Sequence, residues 1–170
     1  MKKCPYWNNS QLSVASKVRT FKELGQISLA VLNNFPVNEY GKITQVCGPV
    51  STGGFDSVKL NFLILSEAVR HIREGGKYIF DQTPLEVQFV RLSEEWKGVG
   101  NTSYCWPILE EVYRPLFESG HIGTLLFLPG WESSVGSCWE RSQGLALKMS
   151  VQPYPQEIYE RILLEHSLSN

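Results

Sequence analysis

The chain has 170 residues, 42% of them hydrophobic, and its 16 basic and 17 acidic side chains give a formal net charge of −1. This length supports one domain with its own core, and the balanced charge argues against a surface that binds a nucleic-acid polymer through its phosphates, although a small anionic ligand remains compatible with it. The four cysteines lie too far apart to form a recognisable metal-ligand pair, and no apolar run is long enough to span a bilayer. We therefore expect a cytoplasmic protein with no metal site, no cofactor and no membrane partner.

The N-terminal part of the chain predicts a helical arm. Apolar residues between Leu12 and Asn34 recur at roughly helical spacing, and Gly25 is expected to divide them into two short helices. Pro36 ends this region, and residues 38–42 have the composition of a loop. We expect this arm to pack on the core or on another subunit.

A first strand and a glycine-rich loop follow the arm. The run Ile43 to Cys47 is short and apolar at alternate positions, and Gly48-Pro49-Val50-Ser51-Thr52-Gly53-Gly54 comes directly after it. Small residues in such a loop leave backbone amides exposed to a phosphate or a sugar. The loop matches neither the phosphate-loop pattern nor the dinucleotide fingerprint, so a plain turn is the alternative.

A helix is predicted after this loop. Asp56 is a candidate cap, the apolar positions continue at helical spacing to about Arg73, and Gly75 follows as a helix terminator. His71 falls in the last turn, where we expect it to be solvated and favoured by the helix dipole rather than catalytic.

A second strand is predicted at Tyr78 to Phe80. Asp81, Gln82 and Thr83 follow its carboxyl end, so any of them is placed to face a ligand site at that edge of a parallel sheet. The alternative for Asp81 is plain turn chemistry before Pro84.

The middle of the chain predicts three further elements. Leu85 to Leu92 alternates well enough for an additional edge strand, and residues 93–103 form a polar stretch long enough to act as a flap over a site. Tyr104 to Glu118 predicts a helix that Pro115 kinks or restarts.

The stretch from Thr124 to Met149 has the three parts of a strand, a sharp loop and a helix. Its first five residues suit a fully buried parallel strand, and Pro129 and Gly130 end that strand. Ser133 or Ser134 is then expected to cap the following helix. The helix would begin at the carboxyl edge of the sheet, where open α/β sheets bind ligands.

Glu140 lies early in this helix, four residues after Gly136 and four before Gly144. Residues at that spacing share a helix face, so the carboxylate would stand between two bare patches of backbone that leave room for a flat ligand. The alternative is an exposed helix glutamate, because it lies almost opposite the apolar stripe. That stripe consists of Val135, Cys138, Trp139, Leu145, Ala146 and Met149.

The end of the chain completes the alternation of strands and helices. Ser150 to Gln152 predicts a last short strand, and Pro155 opens a terminal helix that ends near His166. Strands that alternate with helices in this order predict an α/β fold, a doubly wound parallel sheet covered on both faces. We therefore divide the chain into an N-terminal helical extension, residues 1–40, and an α/β domain, residues 41–170.

Two stretches together resemble the nucleoside 2-deoxyribosyltransferase-like superfamily, especially its small phage and bacterial members, which are related to nucleotide N-glycosidases. The first is Cys47-Gly48-Pro49, followed after spacers by Asn61-Phe62, Ser66-Glu67-Ala68, Ile72-Arg73 and Gly75-Gly76. The second is Leu128-Pro129-Gly130-Trp131-Glu132-Ser133-Ser134, followed by Gly136 and Glu140. The resemblance extends from residue 43 to about residue 152, and the Leu-Pro-Gly-Trp-Glu-Ser run is its most specific part.

This resemblance implies a flavodoxin-like or Rossmann-like sheet, assembly as a homo-oligomer, and cleavage or exchange of the N-glycosidic bond of a nucleoside or nucleoside 5′-monophosphate. It places the nucleophile at Glu140, which would attack the anomeric carbon and form a glycosyl-enzyme ester. The residues expected to hold the sugar or its 5′-phosphate are Gly48, Pro49, Ser51, Gly53, Asn61, Gly130, Trp131, Ser133, Ser134 and Gly136.

The sequence departs from the family pattern at other polar positions. The tyrosine that the family commonly has shortly before the Gly-Pro pair has no counterpart before Gly48, and two family aspartates have no acidic counterpart near Pro115 and Gly123. Asp81 is therefore our candidate for the acid that protonates the leaving base. The alternatives are Asp56, Glu110, Glu111 or a residue of a neighbouring subunit.

The missing family acids also support a hypothesis of a different class. In this second hypothesis the protein is a catalytically silent module that keeps the crevice for a nucleotide or a nucleotide-derived signal. Its N-terminal arm would then serve assembly or contact with a partner.

Overall fold

The structure is a computed structural model that describes residues 6–35 and 43–168, so the loop predicted at residues 38–42 and the helix end predicted at Pro36 lie outside the described residues. The chain forms two compact units. Unit 1 comprises Met1–Gly41 and Pro84–His121, and unit 2 comprises Lys42–Thr83 and Ile122–Asn170. Residues 84–121 therefore group with the N-terminal segment, and the strands lie in unit 2. No helix in the described part of the chain is long and apolar enough to cross a membrane.

Unit 1 is helical. Its elements are α1 (Asn9–Ala15), α2 (Phe21–Leu32), α4 (Glu86–Gly98), a π-helix (Ile108–Tyr113) and α5 (Arg114–Glu118). Both α1 and α2 begin with capping boxes, Asn8 with Gln11 and Thr20 with Glu23, so side chains satisfy the amides that a helix start leaves unpaired.

The predicted break at Gly25 is wrong. Helix α2 continues through this glycine, which is buried against the backbone of Glu111 and Val112 in the π-helix. A side chain at position 25 would not fit, because two backbones approach closely there. In a sequence, a glycine required by such packing cannot be distinguished from a glycine that ends a helix.

The predicted edge strand at Leu85 to Leu92 is also wrong. These residues belong mainly to α4, and the burial follows helical spacing: Leu85, Phe89 and Leu92 are buried, whereas Val87 is 71% exposed. Alternating apolar residues over a short run are compatible with both a strand and a helix, and only the length of the whole element distinguishes the two. Because α4 continues to Gly98, the predicted flap at residues 93–103 is wrong over its first half.

Unit 2 is built on a parallel sheet of three strands in the order β1 (Ile43–Cys47), β2 (Ile122–Phe127) and β3 (Ser150–Pro153). A parallel bridge between Thr44 and Ile79 extends the sheet beyond β1, so the strand predicted at Tyr78 to Phe80 is reduced to one bridge. Its hydrogen bonds run from the Thr44 amide to the Tyr78 carbonyl, 2.9 Å, and from the Phe80 amide to the Thr44 carbonyl, 2.8 Å. The predicted mixed α/β architecture is confirmed.

The two faces of this sheet carry different helices. Helices α3 (Val58–Glu74) and α7 (Gln156–Glu165) cover the face to which Val46 and Leu126 belong, and this side forms the apolar core of the unit. Side chains alternate along a strand, so Gln45, Cys47 and Leu125 point to the opposite face, where α6 (Val135–Ala146) packs. The sheet face that α6 covers therefore carries a polar side chain, Gln45, which is fully buried.

Caps and glycines set the position of the helices in unit 2. Helix α3 is capped by Ser57, whose hydroxyl accepts from the Leu60 amide at 3.3 Å, so the predicted cap at Asp56 is wrong by one residue. Asp56 instead has a left-handed backbone with φ of 52°. In α6, Gly144 faces the sheet, and a Cβ there would lie 2.6 Å from Cδ1 of Leu125. The missing side chain lets α6 approach β2 closely.

Replacing Gly25 by alanine tests the close contact between α2 and the π-helix. A Cβ at this position would overlap the Glu111 carbonyl oxygen, and we expect a loss of about 1 to 3 kcal/mol in the free energy of unfolding. That loss exceeds the roughly 0.5 to 1 kcal/mol that alanine gains over glycine inside a helix. Urea unfolding followed by circular dichroism measures the difference.

The matched control is Gly98→Ala in α4, where nothing lies within 4 Å of the added Cβ. We expect the stability of this variant to equal or exceed that of the wild type. Equal stability of Gly25→Ala and the wild type would contradict the packing role of Gly25.

Candidate functional site

Glu140 is the central residue of the candidate site, and it is buried. Only 6% of its surface is exposed, so the alternative that it is an exposed helix glutamate is wrong. The buried face of α6 consists of Gly136, Ser137, Glu140 and Gly144. The predicted apolar stripe instead contains exposed residues, among them Val135 at 39% and Leu145 at 52%. Small residues occupy most of the buried face of α6, because they allow the helix backbone to lie close to the sheet.

Two side chains of β1 hold the Glu140 carboxylate. The Gln45 amide nitrogen Nε2 donates to Glu140 Oε1 at 3.0 Å, and the Cys47 thiol donates a further hydrogen bond to the same carboxylate. Gln45 and Cys47 are two residues apart on one strand, so they share the face that meets α6. The sheet thus positions both groups against the middle of the helix.

Burial changes the protonation of this pair. Removal of the carboxylate from water raises the pKa of Glu140 from 4.5 to about 8, although the hydrogen bonds from Cys47 and Gln45 act in the opposite direction. Burial, followed by the neighbouring Glu140, raises the pKa of the Cys47 thiol well above its usual value. At neutral pH the free protein therefore holds Glu140 mainly as the carboxylic acid and Cys47 as the thiol.

Two buried polar atoms beside Glu140 have no hydrogen-bond partner. They are Oε1 of Gln45, the other end of the amide that bonds Glu140, and Oγ of Ser137, one helical turn before Glu140. The two residues are 0% and 1% exposed, respectively. Buried polar atoms in native proteins are nearly always paired. Among the described residues, Oε1 of Gln82 and Oε1 of Gln88 are in the same state, so this feature is not confined to the surroundings of Glu140.

The glycine loop after β1 and the turn before α6 lie against each other. The Gly54 amide donates to Ser133 Oγ at 3.0 Å, and the Val135 amide donates to Thr52 Oγ1 at 3.0 Å. A Cβ on Gly53, whose φ is 69°, would overlap Ser133. These contacts join the two segments that the sequence singled out. They also use two backbone amides that we had expected to be free for a phosphate or sugar.

Asn61 holds the shape of the glycine loop. Its side-chain nitrogen donates to the carbonyls of Val50 and Gly53, both at 3.0 Å, and its oxygen accepts from the Phe55 amide at 3.0 Å. The side chain is 4% exposed, and its hydrogen-bonding capacity is largely used within the loop. The observed contacts of Asn61 are those of a brace, and its predicted contact with substrate stays a prediction.

The turn from Gly130 to Ser134 is ordered by its own contacts. Gly130 has a left-handed φ of 82°, and the Trp131 ring meets Phe127 edge-on with centroids 5.4 Å apart. The guanidinium carbon of Arg141 lies 5.1 Å from the centroid of the same indole. Ser134 is the N-cap of α6 and accepts from the Ser137 amide at 3.3 Å.

The remaining loop residues of the predicted site differ in exposure. Pro49 is buried, Ser51 is exposed, and Gly48 packs against the Leu128 side chain, which a Cβ on Gly48 would approach to 2.6 Å. Of these three residues, Ser51 offers its side chain to solvent.

Asp81 is held on both carboxylate oxygens. Oδ2 pairs with Nη1 of Arg73 at 3.0 Å, and Oδ1 accepts from the amide and the hydroxyl of Thr83 at 3.0 and 2.5 Å. The hydrogen bonds to Thr83 are the turn chemistry that the sequence offered as the alternative. The ion pair ties the end of α3 to the turn after the Ile79 bridge. The predicted role of Asp81 as proton donor to a leaving base stays a prediction.

One group of side chains in the described residues has the spacing of a metal site. Ligand atoms of Glu67, His71 and Glu165 lie within 4.8 Å of one another. Arg70 already supplies a positive charge there, with Nη2 2.6 Å from Glu67 Oε2 and 3.3 Å from His71 Nε2. We assign the group to an ion-pair network between α3 and α7. His71 lies in the last turn of α3, as predicted, but its side chain is partly buried in this network, with 16% of its surface exposed, rather than fully solvated.

Sequence reasoning missed four residues of this site: Gln45, Cys47, Thr52 and Ser137. The signal for Gln45 was present, because an amide in the middle of the run Ile-Thr-Gln-Val-Cys is unusual for a strand that is buried along its whole length. Cys47 and Thr52 carried no such signal, since a buried cysteine and a loop threonine are common without a functional role.

Comparisons of the chain with protein-family models, with curated proteins and with solved structures gave no match. The functional conclusion therefore depends on the geometry around Glu140 and on the sequence resemblance alone.

Replacing Glu140 by glutamine tests its burial without reference to activity. Unfolded Glu140 ionises near pH 4.5 and folded Glu140 near pH 8, so the folded state alone retains the proton between these values. Wild-type stability should consequently fall by about 1.4 kcal/mol per pH unit across that interval, relative to a variant that does not titrate. We expect the melting temperature of Glu140→Gln, relative to that of the wild type, to increase as the pH rises and to reach a plateau above pH 8.

Glu132→Gln is the matched control, because Glu132 is exposed in the turn before α6. Its melting temperature should follow that of the wild type at every pH. A Glu140→Gln difference that does not vary with pH would show that Glu140 ionises normally in the folded protein.

Proposed function

We propose that this protein cleaves or exchanges the N-glycosidic bond of a nucleoside or nucleoside 5′-monophosphate, with Glu140 as the nucleophile. The observation that carries the proposal is the buried Glu140 carboxyl group, held at 3.0 Å by Gln45 of the strand that leads into the glycine loop. A structural glutamate on a surface helix has no reason to be buried with so few partners, because burial of a carboxyl group is costly. Strongly perturbed carboxyl groups are enriched at catalytic sites.

We also propose the flavodoxin-like arrangement for unit 2. The Ile79 bridge, β1, β2 and β3 follow one another across the sheet, so in chain order the sheet reads second, first, third and fourth. This is the beginning of the flavodoxin-like strand order, in which ligands bind at the carboxyl ends of the first and third strands. The glycine loop after β1 and the turn after β2 stand at these two ends.

The proposed reaction has two steps. First, a Glu140 carboxylate oxygen bonds to C1′ while the bond between C1′ and the base nitrogen breaks; the base nitrogen keeps the electron pair and takes up a proton. Second, water attacks C1′, the ester bond breaks, Glu140 regains its carboxylate and one proton is released. The sum is nucleoside plus water to free base plus sugar. Attack by another base in place of water gives exchange.

The protonation of Glu140 sets the pH dependence of this reaction. Only the carboxylate is a nucleophile, and Glu140 has a pKa of about 8 in the free protein. We expect kcat/KM for base release to rise about tenfold per pH unit below that pKa and to level off above it. Base release measured by chromatography across the pH range checks the prediction.

Glu140→Gln should abolish this base release, while Glu132→Gln should leave it unchanged. Cys47→Ala removes one hydrogen bond that favours the ionised carboxylate, so it should move the rise in kcat/KM to higher pH. Base release that persists in Glu140→Gln, at the wild-type rate, would contradict the assignment of the nucleophile.

A specific observation favours the second hypothesis, a catalytically silent nucleotide-binding module. Asp81, the candidate proton donor, has both carboxylate oxygens engaged by Arg73 and Thr83. A group held in this way acts as an acceptor, and it supplies no proton to a leaving base in this arrangement.

Thermal-shift measurements with a panel of nucleosides and nucleotides separate the two functions. A ligand that raises the melting temperature and is recovered intact after long incubation supports the binding module. Release of its base, dependent on Glu140, supports the enzyme. Stabilisation by no member of the panel contradicts both.

A further inference from the structure

Helix α6 turns a largely apolar side to solvent. This side lies opposite the buried face that carries Glu140, and Val135 and Leu145 on it expose 39% and 52% of their surface. We call its exposed residues the outer stripe: Val135, Cys138, Ser142, Leu145 and Ala146. We propose that the outer stripe binds the outer stripe of a second copy of this chain, with the two α6 helices antiparallel.

The outer stripe has the composition of a helix contact. None of its five residues is charged, and a contiguous exposed apolar surface on a folded protein marks an interaction site. Cys138, Ser142 and Ala146 follow one another at a spacing of four residues, so they form a row of small side chains along the helix. A second helix can approach closely along such a row, while the larger Val135 and Leu145 pack beside it.

The two ends of the outer stripe carry opposite charges. Glu132 precedes α6 and lies beside the stripe, because the Cys138 thiol donates to its carbonyl oxygen at 3.4 Å. Lys148 follows α6, and its amide donates to the Leu145 carbonyl at 3.1 Å. Both side chains are exposed, and within residues 6–35 and 43–168 neither has an ion-pair partner. An apolar surface with an acid at one end and a base at the other is complementary to itself when it is turned end for end.

That self-complementarity identifies the second copy as the binding partner. In a two-fold dimer the same surface serves both chains, so each contact occurs twice. A two-fold axis beside Ser142 sets Cys138 against Ala146 of the second copy and brings Glu132 towards Lys148 of the second copy. The antiparallel helix dipoles also attract one another. The exposed charge within α6 itself, Arg141, has its guanidinium over the Trp131 ring of the preceding turn.

The length of α6 limits the strength of this contact. The helix has 12 residues and is therefore about 18 Å long. A contact centred on one pair of such helices is small among specific protein interfaces, so we expect a dissociation constant of roughly micromolar size. The inference does not depend on the proposed reaction, and its tests measure mass and cross-linking rather than base release.

Sedimentation of the full chain over a concentration series tests the dimer. The mass should rise from the 19.3 kDa of one chain to twice that value. Leu145→Asp should raise the dissociation constant about tenfold or more, because a charge then lies in the apolar contact. Leu164→Asp in α7 is the matched control: Leu164 is 64% exposed and, like Leu145, is the penultimate residue of its helix. It should leave the dissociation constant unchanged.

A charge swap tests the antiparallel arrangement. Glu132→Lys and Lys148→Glu should each raise the dissociation constant severalfold at low salt, because each sets like charges against one another across the dimer. The double variant should restore the wild-type value. The two positions lie at opposite ends of α6, so recovery in the double variant reports a contact between chains.

A disulfide cross-link tests the position of the two-fold axis. Helix axes 8 to 10 Å apart place the two Ser142 Cα atoms about 4 to 5 Å apart, which a disulfide can span. In a background that lacks Cys4 and Cys138, Ser142→Cys should form a cross-linked dimer on oxidation, and Leu145→Asp should prevent it.

Each of these measurements has a result that overturns the inference. A mass of one chain at every concentration overturns the dimer. A dimer that Leu145→Asp leaves intact overturns the assignment to the outer stripe. Weakening by both single charge variants without recovery in the double variant overturns the antiparallel arrangement, and absence of the Ser142→Cys cross-link overturns the axis at that residue. Base release by a protein that stays monomeric overturns this inference and leaves the proposed function standing.

Discussion

The hydrogen bond between Gln45 and Glu140 is the interaction on which the candidate site depends. A carboxyl group that leaves water loses its hydration, and the protein returns only two side-chain hydrogen bonds, from Gln45 and Cys47. The raised pKa of Glu140 is the direct result of this imbalance. Because Gln45 lies inside a fully buried strand, its hydrogen bond fixes the carboxyl group relative to the sheet, as the proposed role of nucleophile would require.

The two faces of the sheet in unit 2 differ in the polarity of the residues that they bury. On the face of α3 and α7, apolar side chains such as Val46, Leu65 and Leu126 form the core that stabilises the unit. On the α6 face, the missing side chain of Gly144 allows a helix with a polar inner surface to lie close to β2 and β3. A helix chosen for stability alone would turn its apolar residues inward. Helix α6 instead leaves Val135 and Leu145 exposed and buries Glu140, an arrangement that is less stable than one with the apolar residues inward.

The loop after β1 and the turn after β2 are connected by side-chain to backbone hydrogen bonds. Thr52 and Ser133 satisfy amides of the opposite segment, so each segment fixes the conformation of the other. Asn61 then fixes the glycine loop from the α3 side. A loop with this many internal bonds is held in one conformation, and for the proposed function such a frame would lower the entropy lost when a ligand binds. The same bonds leave fewer amides for a phosphate, so the proposed function would require more of the ligand contacts to come from side chains than the glycine-rich sequence suggested.

Local patterns in the sequence located the three strands of the sheet, although they also predicted a strand at Leu85 to Leu92 that is helical. The run at residues 43–47 is apolar at alternate positions and the run at residues 124–128 is largely apolar, and both end in glycine or proline turns. They coincide with β1 and with most of β2, because such runs are stable when they are buried between layers. The sequence also predicted correctly that α6 starts at a serine cap, because capping depends only on residues adjacent in the chain. Glu140 could be singled out as a candidate because it is framed by Gly136 and Gly144 in a stretch that resembles a known family.

The tertiary structure alone decided which faces are buried and what each polar group contacts. Gly25 ends no helix because another backbone packs on it, and Leu85 to Leu92 is helical because its burial is set by neighbours distant in the chain. The apolar stripe predicted for α6 was wrong for the same reason: the close approach of sheet and helix excludes large side chains, and it favours glycine, serine and one carboxyl group held by Gln45. Residues 45 and 140 are 95 positions apart, and no local pattern encodes a hydrogen bond across that separation.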